Sequence, residues 1–120
     1  MAKILVVDDD EMFRDIYEDL LEDEGHDVLL AENGALGIES ALAHMPDLIV
    51  MDLNMPEMDG FEAIRRLKAN PATNSIPILA ATAENATTSS EEISAAGGDG
   101  YLSKPIDSDM LIAGINDLLS

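Results

Sequence analysis

The sequence predicts an α/β fold in which five short strands alternate with five helices around a parallel sheet. Three observations support this prediction. Short apolar runs recur along the 120 residues, amphipathic stretches of helical period separate them, and turn-forming residues mark most of the boundaries. Strands that are apolar on both faces and joined through helices indicate a parallel sheet covered on both sides, with right-handed crossovers.

The first half of the chain is predicted to form three strands and two helices. Gly25 after the first helix and Pro46 after the second are typical stop signals. In order, the elements are strand 4–7, helix 11–24, strand 28–31, a helix between the Asn33-Gly34 break and Pro46, and strand 48–53, which is the most apolar. The residues expected to face the core are Phe13, Ile16, Leu20 and Leu21 in the first helix and Ile38, Ala41, Leu42 and Met45 in the second.

The second half continues the alternation after the turn-rich loop 54–60. The predicted elements are a third helix lined by Phe61, Ile64 and Leu67, strand 76–82, a helix over 86–96, a brief strand at Tyr101 and Leu102, and a last helix carrying Leu111, Ile115 and Leu118. Asp107 is expected to cap the last helix. The fourth helix is the weakest element, because its Thr and Ser residues are poor helix formers.

Composition bounds the function. The chain is 47% hydrophobic, so we expect one globular domain over residues 1–120. Twenty-five acids against six bases give a net charge of −19, which argues against direct binding of nucleic acid or of anionic membranes. The absence of cysteine excludes disulfides, zinc–thiolate sites and thiol catalysis. Without a membrane-length apolar run or a signal peptide, we expect a cytoplasmic protein.

Acidic side chains follow two of the predicted strands. Asp8 and Asp9 come directly after the first strand, and Asp52 lies near the end of the third. Ligands bind at the carboxyl ends of parallel strands, so neighbouring strands would bring the three carboxylates together. At ~4 Å each pair repels by about 4 kcal/mol at an effective dielectric near 20, and Mg²⁺ would relieve that repulsion. Asp10 and Glu11 are assigned instead to the start of the following helix.

Two further polar residues end neighbouring elements at the same edge. Thr82 closes the fourth strand, and Lys104 follows the fifth, just before Pro105. Each has an ordinary explanation alone, because threonine is common in strands and lysine on surfaces. Together with the carboxylates they form a set suited to handling a phosphoryl group.

The stretches "ILVVDD", "PDLIVMDLNMPEMDG", "IPILAATA" and "GGDGYLSKPI" resemble the receiver domain of bacterial two-component response regulators. They span nearly the whole chain, and the spacing of 30 residues from Asp52 to Thr82 and 52 to Lys104 agrees with that family. The resemblance implies a doubly wound, flavodoxin-like (βα)5 fold with strand order 2-1-3-4-5. In that order the first and third strands are neighbours.

The resemblance also implies site roles. Asp52 would accept a phosphoryl group from a histidine kinase or a histidine phosphotransfer protein. Asp8, Asp9, Asp52 and the backbone carbonyl of Asn54 would hold Mg²⁺, with Mn²⁺ as an alternative. Lys104 would contact the phosphoryl oxygens, with a cis peptide bond between Lys104 and Pro105.

The resemblance also implies a conformational change on phosphorylation and residues that set the lifetime of the phosphoryl group. Thr82 would move to hydrogen-bond the phosphoryl group and Tyr101 would swing inward behind it. The face formed by the fourth helix, fifth strand and fifth helix would then change for a downstream effector protein. Asn54 and Glu84 could hold a water that attacks the acyl phosphate, and the small Ala83 would leave it a path. We therefore expect a phosphoryl group that lasts minutes rather than hours.

Two other classes of function remain as alternatives. A metal-dependent phosphohydrolase with an Asp nucleophile would need a second acid, yet position 54 is Asn, and it would need a cap for which no insertion is long enough. A receiver-like module that is never phosphorylated is disfavoured by the complete set of Asp8, Asp9, Asp52, Thr82 and Lys104. The receiver itself could stand alone, relay phosphate to another histidine, or derive from a hybrid kinase or longer regulator.

Overall fold

The computed structural model describes residues 2–55, 58–83 and 90–119. Within these ranges strands and helices alternate, which confirms the predicted α/β order. The strands are β1 (Lys3–Val7), β2 (Asp27–Ala31), β3 (Leu48–Asp52), β4 (Ile78–Thr82) and β5 (Gly100–Ser103). The helices are α1 (Glu11–Asp23), α2 (Gly34–His44), α3 (Gly60–Ala69), α4 (Ser90–Ala96) and α5 (Ser108–Leu119).

The five strands form one parallel sheet in the order β2-β1-β3-β4-β5, which confirms the predicted order. β1 therefore lies between β2 and β3. The register pairs Val7 with Met51 and Asp52 with Ala81. These pairings align the carboxyl ends of β1, β3 and β4 along one edge of the sheet, where the predicted site residues lie.

Two hydrophobic clusters cover the two faces of the sheet. Alternate β1 residues enter different clusters, with Leu5 and Val7 in one and Ile4 and Val6 in the other. The first cluster includes residues of α2, α3 and α4, and the second includes residues of α1 and α5. Both faces are therefore buried, as the apolar strand sequences require.

Short polar side chains cap the N-termini of four of the described helices. Asp107 Oδ1 accepts hydrogen bonds from the backbone N–H groups of Asp109 and Met110 at 2.9 and 3.1 Å, which confirms the predicted cap of α5. Corresponding caps are formed by Asp10 for α1, Asn33 for α2 and Asp59 for α3. These caps satisfy backbone N–H groups that have no partner within the helix.

The structure differs from the predicted core in α1 and α2. Ile16 is 38% exposed, whereas Tyr17, which was not expected inside, is 1% exposed. The helical period explains this exchange, since Phe13, Tyr17 and Leu21 follow one another at four-residue steps on the same face. Leu42 and Met45 are also exposed.

The helices are short. α1 has 13 residues, and in the described part of the chain no helix joins the length and the apolar composition that a membrane span requires. The fourth helix was predicted over 86–96, and its described part is Ser90–Ala96. Residues 84–89 lie outside the described ranges.

Candidate functional site

Three carboxylates converge where β1 and β3 end. Asp8, Asp9 and Asp52 each offer an oxygen, and these atoms lie within 4.8 Å of one another. The side chains of Asp8 and Asp52 are buried, whereas Asp9 is exposed. The arrangement follows from the topology, because β1 and β3 are neighbours and run in the same direction.

Backbone contacts orient the two buried carboxylates in the same way. Asp8 Oδ1 accepts a hydrogen bond from the N–H of Asp10 at 2.9 Å, and Asp52 Oδ1 accepts one from the N–H of Asn54 at 3.1 Å. Within the described residues, neither Oδ2 atom has a hydrogen bond of good geometry. The negative charge of these two oxygens is instead balanced by an ion pair with a lysine that follows β5.

Lys104 is that lysine. Its Nζ lies 2.9 Å from Asp8 Oδ2 and 3.4 Å from Asp52 Oδ2, and its side chain is 14% exposed. The Lys104 N–H donates to the carbonyl of Thr82 at 2.8 Å, which continues the pairing of β4 with β5 to the edge of the sheet. The Lys104–Pro105 peptide bond is cis, the geometry that the family resemblance implies.

The site carries more negative charge than its lysine compensates. Burial and the neighbouring charge of Asp8 raise the pKa of Asp52 to about 7, although the N–H of Asn54 and the Lys104 ammonium act in the opposite direction. Burial acts to lower the pKa of Lys104, but its close contact with the Asp8 carboxylate and the charges of Asp52 and Asp8 outweigh burial and raise it. A further cation at the carboxylates would therefore be favoured.

The donor set fits Mg²⁺. All three side chains offer oxygen, two are buried and fixed by backbone N–H groups, and the third is open to solvent. Mg²⁺ prefers oxygen ligands and keeps several waters, so it suits a site with few protein ligands on an accessible edge.

Thr82 and Asn54 lie around the carboxylates. Thr82 ends β4, one residue beyond the partner of Asp52, and is buried. Asn54 is exposed, and its Oδ1 accepts a hydrogen bond from the N–H of Ala83 at 2.8 Å. Asn54 thus joins the loop after β3 to the loop after β4. Glu84, the other residue assigned to water positioning, lies outside the described residues.

Tyr101 lies on β5, the edge strand of the sheet that follows β4. Its backbone pairs with Ala80, and its side chain is 55% exposed. It borders an open depression of about 360 Å³ together with Ile93 and Ser94 of α4. The aromatic ring is therefore in an outward position in this structure.

Sequence reasoning missed the role of Gly60. A Cβ at this position would overlap the carbonyl oxygen of Asp52 and lie 2.6 Å from the Leu53 Cα. The start of α3 can approach β3 this closely only without a side chain at position 60. The sequence did carry one signal. Gly60 directly follows the cap residue Asp59, at the first position of the helix, where most residue types are tolerated and glycine is therefore notable.

Sequence reasoning also missed two residues of α1 that reach the site. Arg14 Nη1 donates to the carbonyl of Asp8 at 2.8 Å, and the ring of Phe13 lies under the Lys104 ammonium. Helical spacing marked Phe13 only as a core residue. Neither contact has a signal in the sequence, because both depend on how α1 lies against the end of β1.

The chain is similar to known proteins over almost its entire length. A family model described as "Response regulator receiver domain" matches residues 4–116. Protein PilH of Pseudomonas aeruginosa is 38% identical over 122 residues, covering 100% of this chain and 99% of PilH. The polar-differentiation response regulator DivK of Brucella anthropi is 35% identical over 103 residues, covering 86% of this chain and 84% of DivK.

Solved structures show the same relationship. The chemotaxis protein CheY4 of Vibrio cholerae superposes with a TM-score of 0.92 at 33% identity, covering 99% of both chains. The receiver domain of the sensor histidine kinase PA1611 from Pseudomonas aeruginosa PAO1, solved with magnesium in its active-site cleft, gives a TM-score of 0.90 at 30% identity and covers 98% of this chain and 97% of its own.

Receiver domains of response regulators act with histidine kinases or phosphotransfer proteins, and the family binds Mg²⁺ in the active site. They are signalling switches rather than classical enzymes. This chain belongs to the response regulator receiver domain family of two-component signalling.

Proposed function

We propose that this chain is a phosphorylation-activated switch whose residues 1–120 form one domain and whose Asp52 accepts the phosphoryl group. The observation that carries the proposal is the meeting of Asp52 with Asp8, Asp9 and the Lys104 ammonium at one edge of the sheet. A buried carboxylate beside a fixed cation and two more carboxylates is suited to nucleophilic attack on a phosphoryl group.

The donor would be a phosphohistidine on a sensor kinase or a phosphotransfer protein. A carboxylate oxygen of Asp52 attacks phosphorus, an O–P bond forms, and the N–P bond to the imidazole breaks with its electron pair remaining on nitrogen. The product is an acyl phosphate on Asp52. Attack requires the ionised carboxylate, which the N–H of Asn54 and the charge of Lys104 favour against the effect of burial.

Asp8, Asp9, Asp52 and the backbone carbonyl of Asn54 would hold Mg²⁺, with Mn²⁺ as an alternative. The ion would offset the charge that accumulates on the transferring group. The related PA1611 receiver domain, solved with magnesium in its cleft, supports this assignment.

Lys104 and Thr82 would then bind the new phosphoryl group. Lys104 already lies beside Asp52, and its ammonium can turn from the carboxylates to the phosphoryl oxygens. The Thr82 hydroxyl, one residue past the pairing partner of Asp52, would donate a further hydrogen bond. Such contacts exist only after phosphorylation, so they can shift an equilibrium between two conformations.

Tyr101 is the side chain we assign to the transmission of that shift. Its outward position leaves room for an inward movement once Thr82 has turned toward the phosphoryl group. The movement would alter the face formed by α4, β5 and α5, which we propose as the binding surface for a downstream effector protein.

Asn54, Ala83 and Glu84 would set the lifetime of the phosphoryl group. Direct binding of nucleic acid is not expected, and a cytoplasmic location remains a prediction.

Binding of beryllofluoride, a mimic of the phosphoryl group, tests the proposal. Fluorine NMR of the full chain with Mg²⁺ should show one bound beryllofluoride, and chelation of Mg²⁺ should remove it. Asp52→Asn should bind none. The matched control is Asp19→Asn, which alters an exposed acid of α1 and should bind as the parent does. Equal binding by Asp52→Asn and the parent would contradict the proposal.

A further inference from the structure

The ammonium group of Lys104 has a third neighbour that the proposed reaction does not use. Its Nζ lies 4.2 Å from the centroid of the ring of Phe13, which belongs to α1. A cation over an aromatic face is attracted by the electron density of the ring, and more strongly when water is excluded. The lysine side chain is 14% exposed, so little water separates the two groups.

The first turn of α1 holds Phe13 in place. Asp10 caps the helix through the N–H of Met12 at 2.9 Å. The residue after Phe13, Arg14, donates from Nη1 to the carbonyl of Asp8 at 2.8 Å and so fastens this turn to the end of β1. One helical turn later Tyr17 is almost fully buried in the same cluster. The position of the ring relative to the carboxylate of Asp8 is therefore fixed from both sides.

The three neighbours of the ammonium differ in what else they bind. Asp8 and Asp52 would also hold the cation, and Asp52 would carry the phosphoryl group, so their hold on Lys104 weakens as the site fills. The ring of Phe13 binds neither metal nor phosphate. Of these three neighbours it is the one that neither the cation nor the phosphoryl group would engage.

We propose that Phe13 is a positioning residue that keeps the Lys104 ammonium beside Asp52 while the carboxylates are engaged by the cation. This inference rests on the proposed phosphorylation of Asp52 and deepens it. In the competing explanation Phe13 only fills space, because it is half-buried and packs against the cluster on the α1 and α5 face of the sheet. The two explanations differ in whether the electrons of the ring matter or only its volume.

The test uses full-length protein phosphorylated by acetyl phosphate at saturating Mg²⁺. Phe13 is replaced site-specifically with mono-, di- and trifluorophenylalanine, which withdraw electron density from the ring face with little change of volume. Phe13→Leu removes the aromatic face altogether. The matched control is Phe61→Leu, since Phe61 is the other phenylalanine of the chain and packs on the opposite face of the sheet. Phosphorylation rate, Mg²⁺ affinity and melting temperature are measured for each protein.

Positioning through the ring predicts a phosphorylation rate that falls stepwise with each fluorine and by about two- to fivefold in Phe13→Leu. Mg²⁺ affinity should not fall, and the fluorinated proteins should melt at the parent temperature. Phe61→Leu should be phosphorylated at the parent rate. An equal rate across the fluorine series, or a loss in Phe13→Leu that follows its melting temperature alone, would overturn the inference. A parent protein that is not phosphorylated would instead overturn the proposed function.

Discussion

The side-chain oxygen of Asn54 accepts a hydrogen bond from the backbone N–H of Ala83 at 2.8 Å, which joins the loops that follow β3 and β4. The backbone N–H of Asn54 at the same time donates to Asp52 Oδ1 at 3.1 Å. Asn54 thus contacts both Asp52, the proposed phosphoacceptor, and the strand end that carries Thr82. An amide oxygen has two lone pairs, so the oxygen of Asn54 can accept from a water beside the proposed acyl phosphate while it keeps its hydrogen bond with Ala83.

Replacement of Asn54 by alanine should slow the loss of the phosphoryl group. Removing one hydrogen bond to the attacking water should lengthen the half-life about fivefold, and a double variant with Glu84→Ala should lengthen it further. The half-life is followed by the release of inorganic phosphate after excess acetyl phosphate has been removed. Asn116→Ala, at an exposed position of α5, is the control. Decay of the double variant at the parent rate would show that neither side chain times the signal.

The raised pKa of Asp52 should make stability fall with rising pH in the absence of metal. The folded protein retains this proton up to about pH 7, whereas the unfolded chain releases it near its usual value of 3.8. The folded state therefore binds more protons between these values, and the free energy of unfolding decreases as pH rises through that window.

Asp52→Asn removes this loss of stability. At pH 8, in the presence of a chelator, the variant should exceed the parent in free energy of unfolding by about 2–4 kcal/mol, and the two should converge near pH 4. Urea denaturation at several pH values measures the difference, with Asp19→Asn expected to follow the parent. A constant difference between Asp52→Asn and the parent across this range would contradict the raised pKa.

The hydroxyl group of Tyr17 is buried, and no hydrogen-bond partner for it lies among the described residues. Burial, followed by the charges of Asp8 and Asp52, raises the pKa of Tyr17, so the phenol stays neutral. Tyr17→Phe should raise the free energy of unfolding by about 1 kcal/mol, because an unpaired polar group leaves the core. The control, Tyr101→Phe, changes a half-exposed ring and should have little effect. Destabilisation by Tyr17→Phe would indicate that the hydroxyl is hydrogen-bonded in solution.

Gly60→Ala should destabilise the protein by about 2 kcal/mol or more, because the new methyl group meets backbone atoms of Asp52 and Leu53 that cannot move independently of β3. The matched control is Gly114→Ala in α5, where the nearest atoms lie at 3.6 Å and helix propensity favours alanine. Gly114→Ala should therefore be neutral or slightly stabilising in thermal denaturation. Equal effects of the two variants would show that the contact at Gly60 is not constrained.

The strand residues explain why the fold was predictable from the sequence. Runs such as Leu48–Leu53 are apolar on both faces and are bounded by turn residues, so a covered parallel sheet is the simplest structure for them. The convergence of Asp8 and Asp52 then follows from neighbouring strands. The strand order itself came from the family resemblance, because periodicity does not specify which strands pair.

Other features depend on tertiary packing and left no local signal. Tyr17 is buried in place of the predicted Ile16 because of how α1 is rotated about its axis. The apolar spacing in the sequence does not determine that rotation to within one residue. The placement of Lys104 between two carboxylates and the ring of Phe13 depends on how α1 and β5 meet across the sheet edge. The spacing of these residues along the sequence could not specify the distances from Lys104 to the carboxylates and to the ring.

Identification of the phosphorylated residue tests the central claim most directly. The full chain is incubated with acetyl phosphate and Mg²⁺, the acyl phosphate is reduced with borohydride, and peptides are sequenced by mass spectrometry. Reduction converts a phosphorylated aspartate to homoserine, so the account predicts homoserine at position 52 and none when Mg²⁺ is chelated. Homoserine at another aspartate, or none at position 52 in a protein that has gained a phosphoryl group, would contradict it.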